Sequence, residues 1–294
     1  MVTDTPPEGV SVALLTPIAA NGEPDLDALD RIIARAVAAG VAGLSPVGST
    51  GEGPRLSRRQ RHTVTARVSA AGLPVIAGVR CTSLDDAVAD LADASEAGAD
   101  AVLLAPPGYY PMSDAETIGL VETLAETTPV PLLLYHIPGL AQNGYSPKAV
   151  AALSAHPNVV GIKDSGRDLE YLRQVVRGTA GQSFRVLTGT DSLLGECLSA
   201  GATGAIVASA NVAPELSVAV FRGYRDGDEA AWRAAQDRLL SLVTACRGSG
   251  FPAGWKTAAA LLGLCDDRMA PPALPLPAEA GTALRHELKG LGPL

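Results

Sequence analysis

Aromatic residues are scarce in this chain of 294 residues, where Phe, Trp and Tyr make up only 4% of the positions, so each tyrosine can be weighed singly. Lysine is also scarce, because 19 of the 23 basic residues are arginines. The four cysteines lie far apart and lack the CxxC or Cys/His spacing of a metal site. They are Cys81, Cys197, Cys246 and Cys265. We therefore expect unpaired thiols in a reducing compartment and no metal.

The chain also lacks excess positive charge and long apolar runs. Its net charge of -8 disfavours nucleic acid and anionic membranes as partners. No run of about 18 apolar residues occurs, and no basic and then apolar segment opens the chain, so membrane insertion and secretion are not expected. Hydrophobic residues make up 47% of the chain, which is ample for a large core. We expect a soluble cytoplasmic protein.

A strand followed by a helix recurs eight times along the chain. Short apolar segments alternate with segments whose apolar residues have helical spacing. The predicted strands are 10–16, 41–47, 74–79, 100–105, 131–135, 159–163, 184–189 and 204–209. The predicted helices are 25–39, 57–71, 83–97, 114–127, 146–155, 168–177, 191–200 and 214–224.

This alternation predicts an α/β fold, a (β/α)8 TIM barrel with a C-terminal three-helix extension. The strands are continuously apolar, as a parallel sheet covered by helices requires. A doubly wound sheet usually has fewer units and often a glycine-rich first turn, and the first turn here has no GxGxxG. We expect a barrel domain over 1–227. The remainder, 228–294, is expected to form helices at about 228–247, 252–264 and 278–289 that pack on the barrel.

Lys163 is the first candidate catalytic residue, because it lies in a short apolar strand, VVGIKD at 159–164. Burial favours the neutral form of an amine, and only a neutral amine is a nucleophile. The alternative is that Lys163 reaches a carboxylate from the strand end, and position alone gives the two about equal weight. Lys256 is expected to extend along a partly buried helix.

Other candidates follow neighbouring strands, where the active site of a barrel forms. Ser49 and Thr50, between two glycines, could hold a small anion such as a carboxylate. Tyr135 ends the strand next to that of Lys163 and could move protons for a Schiff-base lysine. Taken alone, the segment with Ser49 and Thr50 is more simply read as an ordinary turn. Tyr135 alone is more simply read as a strand-end residue hydrogen-bonded to the backbone. Their joint occurrence favours a catalytic site.

Four motifs follow one another along the chain: GSTGE at 48–52, PPGYYP at 106–111, YHIP at 135–138 and GIKD at 161–164. In this order they resemble the dihydrodipicolinate synthase/N-acetylneuraminate lyase family of pyruvate-dependent class I aldolases. The resemblance extends over nearly the whole chain, from ALLTP at 13–17 through GAIV at 204–207 to Trp255 and Lys256. It is specific for the family and much less specific for a substrate.

The resemblance implies that Lys163 forms an imine with pyruvate or a related 2-oxo acid, with Tyr135 as proton donor and acceptor. Further implied roles concern the carboxylate, the pocket and a proton relay. Ser49 and Thr50 would hold the carboxylate, Gly189 and Ile206 would line the pocket, and Thr50 would link Tyr135 to Tyr110. Tyr110 would enter the site of an adjacent subunit, which implies a homotetramer built as a dimer of dimers. No metal or organic cofactor is implied, because the protonated imine acts as the electron sink.

Departures from the family pattern bear on the second substrate. Dihydrodipicolinate synthases carry an arginine two residues beyond the proline of the tyrosine motif, and here that position is Leu140. Sialate lyases use an acidic pair after the glycine that matches Gly189, and here it is only half present, as Asp191. Ser165 is a plausible contact for a substrate hydroxyl.

Three further residues lie near the predicted site. Alternation turns His136 away from the face that Tyr135 occupies, so it is expected to be structural. Arg80 and Arg167 could meet an anionic substrate, although a surface or interface ion pair is the favoured reading.

Several functions remain open from the sequence. The first is a lyase that joins or cleaves pyruvate and an aldehyde, with a short sugar acid or hydroxy-oxo acid as the partner. The others are a dehydratase of a 2-oxo-3-deoxy sugar acid, dihydrodipicolinate synthase itself, and a non-catalytic pyruvate sensor. A phosphate-binding sugar isomerase has little support, because the loops after strands seven and eight have no glycine-rich phosphate cradle.

Overall fold

The eight predicted strands form one parallel sheet that curls into a barrel. The computed structural model describes residues 6–291. The strands are β1 (Gly9–Ala13), β2 (Gly43–Ser45), β3 (Ile76–Val79), β4 (Ala101–Leu104), β5 (Leu132–His136), β6 (Val159–Asp164), β7 (Arg185–Thr188) and β8 (Gly204–Val207). Their order in the sheet is β2-β1-β8-β7-β6-β5-β4-β3.

The two edge strands, β2 and β3, approach each other and nearly close the barrel. Leu44 and Val75 form a parallel bridge. The amide of Leu44 donates to the carbonyl of Pro74 at 2.9 Å, and the amide of Gly78 donates to that of Pro46 at 3.0 Å. These contacts satisfy backbone groups that an open sheet edge would leave unpaired. The predicted TIM barrel is confirmed.

Eight helices cover the outside of the barrel, and six of them follow a residue whose side chain caps the first turn. They are α1 (Leu26–Ala39), α2 (Arg58–Ser69), α3 (Leu84–Glu96), α4 (Asp114–Thr127), α5 (Pro147–Leu153), α6 (Leu169–Gly178), α7 (Leu194–Ser199) and α8 (Pro214–Arg225). The side chains of Ser57 and Ser113 accept from backbone amides at the starts of α2 and α4, each within a capping box. No helix within 6–291 is both long and apolar enough to cross a bilayer.

Alternation along the strands separates two apolar layers. One side of the sheet packs against the helices and forms the larger core. The other side fills the barrel interior with Ala13, Ile76, Ala101, Leu103, Leu133, Tyr135, Ile137, Val160, Leu187 and Ile206. Tyr135 and Ile206 are thus inside the barrel, on the side where a substrate pocket can form.

Three more helices follow α8, and the first of them packs against the barrel. They are α9 (Glu229–Gly248), α10 (Ala253–Leu261) and α11 (Ala278–Gly290). Gln236 on α9 accepts from the amide of Gly195 at 3.0 Å and donates to the carbonyl of Asp191 at 3.1 Å. Lys256 lies on α10, but the expectation that its side chain extends along the helix to solvent is wrong, since that side chain is 0% exposed. The boundary between 227 and 228 stays a prediction.

Candidate active site

A β-bulge in β6 aligns Lys163 with Tyr135. Leu132 on β5 is opposite Val159, but the next residue, Leu133, is opposite Gly161, so β6 carries one extra residue at this point. Beyond the bulge the two strands stay in register, and Tyr135 pairs with Lys163. Because paired residues of neighbouring strands project to the same face, both side chains enter the barrel interior.

The amine of Lys163 is buried against the tyrosine ring. The residue is 5% exposed, and its Nζ lies 4.3 Å from the centroid of the Tyr135 ring. Within residues 6–291, no carboxylate oxygen lies within 4.0 Å of this nitrogen. The alternative reading, in which Lys163 reaches a carboxylate, is therefore wrong. Leu187 on β7 pairs with Lys163 on the other side of β6, and its side chain belongs to the apolar interior of the barrel.

Gly189, after β7, lies directly against the lysine side chain. A Cβ at this position would stand 2.8 Å from Cε of Lys163 and 2.1 Å from Oγ of Ser165. Glycine is required here because the backbone approaches both side chains too closely for any other residue. The amide of Ser165 donates to the carbonyl of His136 at 2.8 Å. Lys163, Ser165 and Gly189 therefore lie together, as the sequence suggested.

The loop 48–52, which carries Ser49 and Thr50, is held in a strained conformation. Val47 and Glu52, on either side of its hydroxyl residues, have φ angles of 52° and 56°. The left-handed region is unfavourable for a β-branched residue such as Val47. A Cβ at Gly78 on β3 would lie 2.7 Å from the carbonyl oxygen of Val47. Close packing on β3 therefore fixes the start of the loop.

The end of the loop is fixed by a buried ion pair with the C-terminal extension. Glu52 is 2% exposed, and its carboxylate accepts from Nζ of Lys256, from Arg55 at 2.9 Å and from the amide of Ala270 at 3.1 Å. Lys256 also donates to the carbonyl of Arg268 at 2.9 Å. Burial lowers the pKa of Lys256, and the adjacent Glu52 carboxylate partly offsets this shift. Glu52 thus joins the loop to α10.

A cavity of about 480 Å³ opens above the carboxyl ends of β2 to β5. Its wall includes Ser49 on the loop, the ring of Tyr135, and Leu140 after β5. Phe251 and Pro252, between α9 and α10, complete the wall on the side of the extension. Tyr135 therefore lines the cavity and also packs against the amine of Lys163. A residue in this position can exchange protons with a substrate that is bound to the amine.

Tyr110 is not brought to this site within one chain. It is 74% exposed, and its ring packs edge-on against Tyr109 with the centroids 4.9 Å apart. Asn143 fixes the loop that carries both rings, since its side chain accepts from the amide of Met112 at 2.9 Å and donates to the carbonyl of Tyr110 at 2.7 Å. The exposed ring thus stands on an anchored loop.

His136 and Asp164 lie on the opposite face of the strands from the candidate catalytic pair. The imidazole of His136 stacks on the ring of Tyr171 at 4.3 Å and accepts from the amide of Tyr145 at 3.2 Å, the outward orientation that alternation predicts. Burial lowers the pKa of His136. Burial also raises the pKa of Asp164 to about 6, although the amide of Gly166 donates to its carboxylate.

The remaining polar candidates are held mainly by other protein groups. Arg80 forms an ion pair with Asp90 at 3.4 Å, as favoured from the sequence. It also lines the cavity. Arg167 donates to Ser192 at 3.4 Å. The Asp191 carboxylate is fully buried, accepts from the amide of Ser209 at 3.2 Å and lies 3.4 Å from Arg247, so it serves the contact between barrel and extension.

Some residues that shape the site had no assigned role from the sequence. Gly78 and Lys256 position the hydroxyl loop, which Glu52 ends and Arg55 follows. Glu52 and Lys256 both lie in segments that match the family, but 204 positions separate them and no local pattern pairs them. Across the described part of the chain, no three His, Cys, Asp or Glu side chains are grouped to hold a metal ion.

The fold and site define a (β/α)8 enzyme of the lyase class. The chain matches the Dihydrodipicolinate synthetase family over residues 6–291 and belongs to that family. Family members are pyruvate-dependent class I aldolases that carry pyruvate on a lysine as a Schiff base, without an external cofactor.

Relatives of known sequence match almost end to end. The chain is 33% identical over 288 residues to a 4-hydroxy-tetrahydrodipicolinate synthase of Gluconacetobacter diazotrophicus, with 97% of each chain covered. It is 35% identical over 287 residues to an uncharacterized DapA-like lyase of Halobacterium salinarum, covering 97% of this chain and 94% of the relative.

Solved structures match equally far along the chain. A prophage protein of the dihydrodipicolinic acid synthase family from E. coli, in complex with pyruvate, superposes with a TM-score of 0.91 at 30% identity, covering 97% of this chain and 98% of the other. A dihydrodipicolinate synthase from Thermotoga maritima superposes with a TM-score of 0.93 at 28% identity and the same coverage.

Proposed function

We propose that this chain joins or cleaves pyruvate and an aldehyde, with Lys163 as the residue that forms the imine. One observation carries the proposal: the amine of Lys163 is buried, lies 4.3 Å from the centroid of the Tyr135 ring and has no carboxylate partner in the described chain. Pyruvate as the donor is supported by the E. coli relative, whose crystals contain it. The imine would replace any cofactor as the electron sink.

The chemical steps follow from these positions. The neutral amine of Lys163 adds to C2 of pyruvate, and water leaves as the imine forms. Loss of a methyl proton gives the enamine, whose C3 attacks the aldehyde carbon, and the aldehyde oxygen takes a proton. Water then hydrolyses the imine and restores the amine. Tyr135 would deliver and accept these protons, because its ring contacts both the lysine and the cavity.

The other site residues would bind the pyruvyl unit. Ser49 and Thr50 would hold its carboxylate through hydroxyl and backbone donors, and Gly189 and Ile206 would line its pocket. Ser165 would meet a substrate hydroxyl, since a Cβ at Gly189 would lie 2.1 Å from its Oγ. This arrangement would place pyruvate beside the amine of Lys163.

We further propose that Tyr110 completes the proton relay in the site of a neighbouring subunit through Thr50. Its ring is exposed on a loop that Asn143 anchors, which supports a contact outside its own chain. Family members act as oligomers, and the proposed form here is a homotetramer, a dimer of dimers. A cytoplasmic location is supported by four cysteines that form no disulfide.

Proton exchange at the methyl group of pyruvate tests the enamine directly. In D2O, the wild type should exchange the methyl protons of pyruvate, followed by proton NMR, and Lys163→Ala should not. Tyr135→Phe should slow the exchange by about 100-fold or more. Reversible pyruvate binding without exchange in the wild type would contradict the proposal and favour a sensor.

Product analysis separates bond cleavage from dehydration. A panel of 2-oxo-3-deoxy acids should release free pyruvate and an aldehyde, and the reverse reaction should consume pyruvate with an aldehyde. Loss of water from these acids without free pyruvate would contradict the aldolase assignment and make the chain a dehydratase.

A further inference from the structure

Two arginines line one side of the cavity above the candidate catalytic pair. Arg55 follows the hydroxyl loop, and Arg80 follows β3. Their side chains are 38% and 37% exposed, so their charged ends are accessible from the cavity. Leu140, which follows β5 and carries no charge, also lines the cavity.

The acidic residues next to these arginines already have buried cationic partners. Glu52, the partner of Arg55, also pairs with Lys256, and both of these side chains are 0% exposed. Asp90, the partner of Arg80, pairs with Arg61 at 2.6 Å, and these side chains are only 5% and 7% exposed. The charged residues that line the cavity are Glu52, Arg55 and Arg80, so the wall has an excess of one positive charge.

The contacts of Arg80 orient it without occupying its whole guanidinium. Its backbone amide and its Nε both donate to the same carboxylate oxygen of Asp90, at 3.2 and 3.4 Å. No hydrogen bond within the described residues uses its two terminal nitrogens. A planar guanidinium held at one edge can present these nitrogens to a carboxylate or phosphate in a bidentate manner.

The remaining wall of the cavity is largely apolar. Val79, Leu140 and Phe251 line it, and Leu140 is 62% exposed. A guanidinium beside apolar surface attracts anions, because few polar groups there compete for its free nitrogens. The wall suits a molecule with a short carbon body and one anionic end.

We propose that the aldehyde substrate carries an anionic group, a carboxylate or a phosphate, and that Arg80 determines this specificity with support from Arg55. The proposal rests on the proposed function, because it concerns the second substrate of the same site. The anion would be bound at the end of β3 by Arg80 and not after β5, because Leu140, at the position of the family's arginine, carries no charge.

Matched pairs of aldehydes test the substrate class with the wild-type protein. Succinic semialdehyde is compared with butanal, and D-glyceraldehyde 3-phosphate with D-glyceraldehyde, each with pyruvate as the donor. At least one anionic aldehyde should have a kcat/KM about 10-fold or more above that of its neutral match, and the advantage should shrink as salt is raised. The pair with the larger advantage identifies carboxylate or phosphate. Equal values within both pairs would overturn the proposal.

Arg80→Met tests the residue while keeping its unbranched apolar stem. The kcat/KM for the preferred anionic aldehyde should fall about 10- to 100-fold, while that for its neutral match and the methyl exchange of pyruvate should stay near wild type. Arg59→Met is the control, because it removes the same charge from an exposed pair with Glu23 outside the cavity.

The two proposals fail in different ways. Loss of methyl exchange in the wild type would contradict the proposed function. Normal exchange together with an equal fall for anionic and neutral aldehydes in Arg80→Met would contradict only the assignment of Arg80. If Arg80→Met does not fold, the wild type provides the test. Its ratio of kcat/KM for the anionic aldehyde to kcat/KM for the neutral match should fall as salt is raised, and a ratio that does not change with salt would overturn the proposal.

Discussion

Two buried lysines in this chain differ in what surrounds their amines. Lys256 is paired with the carboxylate of Glu52, whereas Lys163 lies over the ring of Tyr135 without a carboxylate partner in the described chain. Because no carboxylate holds its amine in an ion pair, Lys163 is the candidate for attack on a carbonyl group. Burial alone therefore does not identify a catalytic lysine, because the charge next to it decides its chemistry.

Gly189→Ala should disable the site while leaving the fold intact. The added methyl group would stand 2.8 Å from Cε of Lys163 and must displace that side chain. We expect a loss of stability of about 1–3 kcal/mol, typical of overpacking, and a loss of pyruvate methyl exchange of at least about 10-fold. Urea denaturation and NMR exchange measure the two effects. Normal exchange would contradict the close approach of Gly189 to Lys163.

Asp164→Asn should change how stability depends on pH. Burial raises the pKa of Asp164 from 3.8 to about 6, so the folded state binds the proton more tightly than the unfolded state. The stability contributed by the protonated form is present below about pH 4 and is lost as pH rises through about 6. Asparagine cannot ionise and can still accept from the amide of Gly166.

The variant should therefore be more stable than the wild type at pH 8, by up to about 3 kcal/mol, and no more stable at pH 4. His136, whose pKa is lowered, titrates in both proteins, so the difference between them isolates Asp164. Urea denaturation at both pH values measures it. A difference that does not change with pH would contradict the assignment.

At the scale of elements, the sequence was sufficient to predict the strand and helix order but not the exact register. Continuous apolar strands and capped helices are local patterns, and α4 spans Asp114–Thr127 as expected. The bulge that pairs Tyr135 with Lys163 arises between neighbouring strands, and no local pattern marks it. The left-handed conformation of Val47 is likewise imposed by packing on β3.

The buried pair between the hydroxyl loop and α10 shows the same limit. Glu52 and Lys256 meet only when the chain has folded, because 204 positions separate them. Glu52 lies in the GSTGE motif and Lys256 follows Trp255 at the end of the matched segment. Neither motif indicates which residue will pair with the buried charge. The motifs were enough to predict that Ser49, Tyr135 and Lys163 lie at the same end of the barrel, since its topology brings strand ends together.

Lys256→Met should destabilise the protein strongly, because it leaves the buried carboxylate of Glu52 with fewer partners. We expect a loss of about 3–5 kcal/mol in the free energy of unfolding, measured with urea. The double variant with Glu52→Gln should recover part of this loss, because it removes the uncompensated charge. A single variant within about 1 kcal/mol of wild type would contradict the structural role of the pair.

At the scale of the whole molecule, the site in one chain is closed by its own extension but not by its own Tyr110. Phe251 and Pro252 of the extension line the cavity, whereas the Tyr110 ring is exposed. A residue on an exposed, anchored loop can act in a neighbouring site if subunits pair through a two-fold axis. The proposed dimer follows from this arrangement.

Mixing two inactive variants tests whether subunits share sites. Lys163→Ala lacks the amine, and Tyr110→Phe lacks only the hydroxyl group of the relay. A mixed dimer would contain one site with both native residues, so equal mixing after dissociation and reassembly should restore roughly a quarter of the wild-type sites. Activity and native mass spectrometry measure this together. Mixed dimers without any gain in activity would show that Tyr110 does not act across the interface.

Mapping a trapped imine tests the central claim most directly. Borohydride reduction in the presence of pyruvate should leave one stable adduct, and peptide mass mapping should place it on Lys163. Lys256 is the internal comparison, because it is also buried but is paired with Glu52. An adduct on Lys163 alone, absent from Lys163→Ala, is the predicted result. An adduct on Lys256, or an unmodified wild type, would contradict the account.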